Sequence, residues 1–215
     1  MAIEYTFVPQ TNKELYDAVD EYRNMSDATK MNYSQHWDKG EFNQWDVSRI
    51  TNMHGLFMGL NTFNEPLDKW NVGNVRDMTG MFSKCESFNQ PLNSWNVSNV
   101  TYMGFMFANC RNFNQPLNSW DVGNVSNMSF MFSYCPYFPN CSSFNQPLNN
   151  WNVSNVRDME RMFEGCCSFN QNLSSWQISN HVHINFMFFR AGIMTNREYL
   201  PPRVRRTSDI DHRPL

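Results

Sequence analysis

Charge is scarce in this chain: charged side chains make up 17% of its 215 residues, and the formal net charge is −3. A protein built to neutralise nucleic-acid phosphates shows a strong basic excess or stripe, so this balance argues against nucleic acid as a partner. Long apolar runs are missing as well. No stretch approaches the roughly 18 apolar residues that a membrane-crossing helix requires. The segment Met1-Ala2-Ile3-Glu4-Tyr5 lacks a basic region followed by an apolar stretch, so nothing there marks the chain for secretion. Catalytic patterns are equally thin. His36, His54 and His212 are scattered, no Ser, His and Asp set recurs, and paired carboxylates are absent from the repeating positions. Neither enzyme activity nor a cofactor is expected.

What the sequence does have is a bias towards unusual residues: 15 Met, 18 Phe and 7 Trp stand beside 30 Asn. The bias comes from repetition. Tryptophan recurs at Trp45, Trp70, Trp95, Trp120, Trp151 and Trp176, at intervals of 25, 25, 25, 31 and 25 residues. The run Phe88-Asn89-Gln90-Pro91-Leu92-Asn93-Ser94-Trp95 returns at Phe113 to Trp120 and Phe144 to Trp151, and in weaker form at Phe63 to Trp70 and Phe169 to Trp176. The long interval holds six extra residues, Cys135 to Asn140, which read as a surface loop.

Two periods are joined in each copy. Leu92-x-x-Trp95-x-Val97 alternates and predicts a short strand with Trp95 and Val97 on one face. Val100, Met103, Met106, Phe107 and Cys110 fall on one stripe at helical spacing, which predicts a helix with Asn99 at its cap. In two copies an acid follows three residues after the cap, Asn74 with Asp77 and Asn155 with Asp158. One such unit cannot bury its own apolar face. The expectation is therefore an α/β repeat solenoid: stacked strand-helix coils with short parallel β-strands, each sealing its neighbours. The methionine and phenylalanine stripe, Met78, Met81 and Phe82 with their copies, belongs to the core.

The Leu-x-x-Trp-x-Val core resembles the strand of leucine-rich repeats, with tryptophan in a leucine position. The full unit, F-N-Q-P-L-N-x-W-[DN]-V-S-N-V-x-x-M-x-x-M-F-x-x-C, closely resembles the BspA-like family of roughly 25-residue surface-protein repeats. The likeness covers about Phe42 to Ala191, and Thr6 to Pro9 with Asn12 to Val19 resembles the lead-in that often precedes these repeats. Members occur in bacterial surface proteins, mollicute lipoproteins, protists and large DNA viruses. The resemblance implies adhesion or protein recognition without chemistry. With no signal peptide or lipidation cysteine read here, it favours an intracellular or virion-associated protein over one at the cell surface. A structural component of a large virus particle fits that distribution, and a cell-surface adhesin or glycan-binding module is the alternative.

Three regions follow: an N-terminal cap at 1–37 with a helix at about 11–24, about six repeats over 38–191, and an extended basic tail at 192–215. The cap helix is read from Leu15, Tyr16, Val19 and Tyr22 behind Thr11 or Asn12. In the tail, Arg203, Arg205 and Arg206 are the candidate contacts, and a solvated end is favoured over a strap docked on an acidic surface or nucleic acid. The residue between Trp and Val in each copy should point outward, giving a candidate concave binding face of Asp46, Asn71, Asn96, Asp121, Asn152 and Gln177 for a protein partner. Hydration of the sheet by these amides is the competing account. Cys85, Cys110, Cys141 and Cys166 share one repeat position and read as a ladder of buried free thiols rather than disulfides or zinc ligands. His181-Val182-His183 could bind a metal or sense pH, with polar substitution at the end of the stack as the simpler account.

Overall fold

The computed structural model describes residues 5–134 and 142–206. The six-residue insertion at 135–140, Cys141 and the end of the tail, 207–215, lie outside the described residues.

Three α-helices lie in the N-terminal segment: α1 (Asn12–Arg23), α2 (Asp27–Lys30) and α3 (Tyr33–His36). Helix α1 starts where the side chain of Thr11 accepts from the N–H of Glu14, while the Glu14 carboxylate accepts from the N–H of Gln10, a reciprocal cap that satisfies two end donors. It buries Leu15, Ala18, Val19 and Tyr22 against the first repeat.

Among the described residues the repeats contain neither the strand nor the helix expected of them, and the α/β strand-helix reading is overturned. Among the described residues the only ladder pairings are single parallel bridges. Five of these join equivalent residues of neighbouring copies: Asn52 with Asp77, then Tyr102, Asn127, Asp158 and His183 in succession. Each copy is instead a closed chain of tight turns. Trp95 N–H donates to Leu92 O, Val100 to Val97, Met106 to Met103 and Cys110 to Phe107, all three residues back.

The hydrogen bonds explain why. From Met53 to Leu60, alternate N–H groups do two jobs. Those of Met53, Gly55, Phe57 and Gly59 donate along the stack to the carbonyls of Asp77, Thr79, Met81 and Ser83 in the next copy. Those of Leu56, Met58 and Leu60 close turns onto Met53, Gly55 and Phe57. An α-helix would consume every N–H internally and leave nothing for the neighbouring copy. A spacing near three residues serves a run of three-residue turns as well as a helix face, so the apolar pattern alone could not separate them. The turns also need positive φ. Gly55 and Gly80 supply it at +62° and +63°, and Phe105, Phe130, Arg161 and Phe186 adopt it at the same register. Those larger side chains stack outside the column: the Phe105 and Phe130 rings lie 4.5 Å apart, and the Arg161 guanidinium sits 4.8 Å from the Phe186 ring.

Where the strand was expected, side chains replace the backbone ladder. Pro66, Pro91, Pro116 and Pro147 have no N–H to give. The indole N–H of each tryptophan from Trp70 to Trp176 reaches back to a carbonyl of the previous copy. Trp95 donates to Leu67 O, Trp120 to Leu92 O and Trp151 to Leu117 O, each at 2.9 Å. Asn99 caps no helix; its side-chain amide donates to Gly73 O at 2.7 Å, as Asn124 does to Ser98 O. Asn89, Asn114, Asn145 and Asn170 form a second amide ladder, each main-chain N–H donating to the preceding side-chain oxygen. Much of the asparagine content is thus mortar between copies.

Inside run two phenylalanine columns. Phe57, Phe82, Phe107, Phe132, Phe163 and Phe188 stack in line, with the Phe82 and Phe107 rings 5.6 Å apart and 4° from parallel. Phe63, Phe88, Phe113, Phe144 and Phe169 form the second, interleaved with the first. The repeat tryptophans, methionines and valines complete a core that is buried from end to end.

Residues 192–206, expected to begin an extended tail, fold as three 3-10 turns that bury Ile193, Leu200 and Val204 at the end of the stack. These apolar side chains cover the face that the next copy would otherwise cover.

Candidate functional site

Every residue of the proposed outer row lies on one flank. Asn71, Asn96, Asp121, Asn152 and Gln177 are exposed and Asp46 is half-buried. Most have a local task. A side-chain oxygen of Asp46 accepts from the N–H of Ser48, and Asn71, Asn96, Asp121 and Asn152 accept in the same way from Gly73, Ser98, Gly123 and Ser154. These turns explain why only Asn or Asp stands at those five positions. One polar end of each side chain is engaged, and the row as a whole stays open to solvent. Gln177 departs from the pattern, its amide donating to Ser175 O.

The tail arginines are placed differently from one another. Arg203 donates to Ser179 O, and Arg205 donates to Leu200 O at 2.8 Å and to Glu198 O. Both brace the end of the stack. Arg206 closes the last 3-10 turn.

The thiols of Cys85, Cys110 and Cys166 are free and buried. Each donates to a phenylalanine carbonyl of the preceding copy: Cys85 to Phe57 O at 3.0 Å, Cys110 to Phe82 O at 2.8 Å and Cys166 to Phe132 O at 3.0 Å. Burial pushes the Cys85 thiol up to about 12, against smaller lowering effects from the Leu60 backbone and Arg23. It also raises the Cys110 and Cys166 thiols well above the usual thiol range. Thiols held in this way are poor nucleophiles and poor metal ligands. Cys167, adjacent but outside the ladder, is disulfide-bonded. No spacing rule in the sequence pointed to that.

Among the described residues, no three His, Cys, Asp or Glu side chains converge as metal ligands, and no helix is long and apolar enough to cross a membrane.

The geometry at the first copy is the feature that the sequence hid most completely. The carbonyls of His54, Leu56 and Met58 face outward from the stack, where a preceding copy would have donated to them. Helix α1 supplies the missing donors. The Tyr16 hydroxyl donates to His54 O at 2.6 Å, and the Arg23 guanidinium donates to Leu56 O at 3.3 Å and Met58 O at 2.8 Å. Asn12 completes the imitation, its side-chain oxygen accepting from the N–H of Thr51 at 3.1 Å. Burial, and the Asp77 carboxylate after it, raise the Tyr16 hydroxyl to about 12, so it stays a donor at neutral pH.

A family model described as "Mycoplasma protein of unknown function, DUF285" matches residues 21–140 and 134–199 of the chain. The chain belongs to the DUF285 family. That membership is consistent with the mollicute repeat proteins among those the sequence resembles, and the match takes in α2, α3 and the stacked turns but only the last three residues of α1. No curated protein matches the chain, and no solved structure does. This DUF285 chain is therefore read from its own surfaces.

Proposed function

We propose that this DUF285 protein is a non-enzymatic scaffold that binds another protein along its outer amide row. The observation that supports this reading is the row itself: Asn71, Asn96, Asp121 and Asn152 recur once per copy, held at fixed spacing by their own turns above a buried core. A rigid, evenly spaced set of amides and carboxylates loses little side-chain freedom on binding, which favours recognition of an extended partner surface.

The test keeps the turns and changes the charge. Asn71→Asp, Asn96→Asp and Asn152→Asp together retain the accepting oxygens, as Asp46 and Asp121 already do, while adding three negative charges. Affinity capture from the native source with unaltered protein should retain a partner that the triple variant loses, at equal thermal stability. Equal capture by both would place recognition on another face.

A further inference from the structure

In five copies a buried aliphatic side chain follows the outer turn: Ile50, Val75, Val100, Val125 and Val156. Equal spacing would put His181 in the sixth place. It is not there. The N–H that closes the turn belongs to Val182, donating to Ser179 O at 3.2 Å, and Val182 takes the buried seat. The chain has slipped by one residue, and His181 is pushed out into solvent.

The slip gathers basic groups in one place. A groove of about 420 Å³ between the last two copies is lined by Arg157, His181 and His183 together with Ser154, Asn155 and Ser179. Among the described residues, none of Arg157, His181 and His183 forms an ion pair. The two nearby acids each have a contact of their own. Asp158, bridged to His183 through the backbone, accepts from the N–H of Glu160 at 2.9 Å, and Glu160 pairs with Arg161 at 3.5 Å. At the rim, Arg203 is fixed by its bond to Ser179 O and adds positive charge. In a chain of net charge −3, this gathers basic side chains that no carboxylate pairs with among the described residues.

We infer that this groove binds a phosphate group, with Arg157 as its fixed charge and the His181 and His183 rings and the serine hydroxyls as directional donors. A guanidinium and several neutral donors around a shallow polar groove match the several oxygens of a phosphate better than the two of a carboxylate. Free phosphate and a phosphorylated protein present the same chemistry to the groove, and the test below separates them. The inference stands apart from the amide-row reading, which concerns a different set of side chains.

The test is a proton NMR titration of the full chain, following the ring protons of His181 and His183, with His54 as an internal control because it is exposed and faces Asp77. Inorganic phosphate, a Gly-phosphoserine-Gly peptide amide and acetate are added separately. Saturable shifts at His181 and His183 at millimolar phosphate, with His54 unmoved and acetate at least tenfold weaker, are expected. The peptide binding more tightly than inorganic phosphate identifies a phosphoprotein as the source; equal or weaker binding identifies free phosphate. Arg157→Gln, which leaves the backbone bond from Arg157 N–H to Ser126 O intact, should weaken the binding about tenfold without changing the melting temperature. His181→Asn serves as the second variant and should weaken it severalfold. No saturable shift, parallel movement of His54, equal binding of acetate, or unchanged affinity in Arg157→Gln would overturn the inference.

Discussion

The guanidinium of Arg23, on α1, donates to the carbonyl oxygen of Met58, in the first repeat, at 2.8 Å. It also reaches Leu56 O, so one side chain satisfies two carbonyls that have no preceding copy to serve them. Replacing Arg23 with Ala should cost about 1 to 3 kcal/mol, the range for leaving hydrogen-bonding groups unsatisfied. Lysine should recover less than half of that, because it cannot span both oxygens in a fixed plane. Urea unfolding of the three proteins measures it; a loss below about 0.3 kcal/mol in Arg23→Ala would mean that water serves the edge equally well.

At the opposite end the backbone makes its own prediction. Met159 and Phe163 donate their N–H groups to His183 O and Met187 O of the next copy, whereas the equivalent N–H groups of Ile184 and Phe188 have no acceptor among the described residues. Hydrogen exchange should therefore run at least tenfold faster at Ile184 and Phe188 than at Met159 and Phe163. Equal protection would show that the edge is covered.

The thiol ladder should be chemically silent. With burial raising Cys85, Cys110 and Cys166 far above neutral pH, a water-soluble disulfide reagent should label them only as fast as the protein unfolds. Rapid labelling of Cys110 in the folded protein would contradict the bond to Phe82 O.

Glu65 gives a dependence on pH whose sign is fixed. Burial raises its carboxyl above the usual range, the Tyr33 hydroxyl bonded at 3.1 Å lowers it, and Glu41 raises it. A folded-state value above the unfolded one means that the contribution is present below the unfolded value and lost as pH rises through the folded one. Glu65→Gln should thus be relatively more stable than the parent at pH 7 than at pH 3.5, as thermal melts at the two values would show. A difference that does not change between them would remove Glu65 as the source.

Much of the molecule was legible as a repeat, and far less as a fold. Trp95, Val97, Met103, Phe107 and Cys110 are all buried, as apolar residues that recur from copy to copy must be when each copy covers the next. Whether the backbone between them forms helices or turns depends on where alternate N–H groups point, and apolar spacing carries no information about that. The likeness to leucine-rich repeats reinforced the error by supplying a strand. Asn99 matched a helix cap in type and position, yet its amide bridges two copies instead. Arg23 was invisible because nothing in α1 signals which carbonyls lie opposite it. His181 reads in the sequence as a polar substitution at the end of the stack; the slip that lets Val182 take the buried seat depends on which N–H closes the turn.

The central claim is that polar side chains bind one copy to the next where a sheet would otherwise do so. Hydrogen exchange at the indole N–H groups tests it most directly, since Trp95, Trp120 and Trp151 each donate to a carbonyl one copy back. Their exchange should be slowed to the rate of the main-chain N–H groups of Met78, Met103 and Met128, which cross the same three junctions. Indole exchange at the rate of free tryptophan, with those main-chain groups still protected, would contradict it.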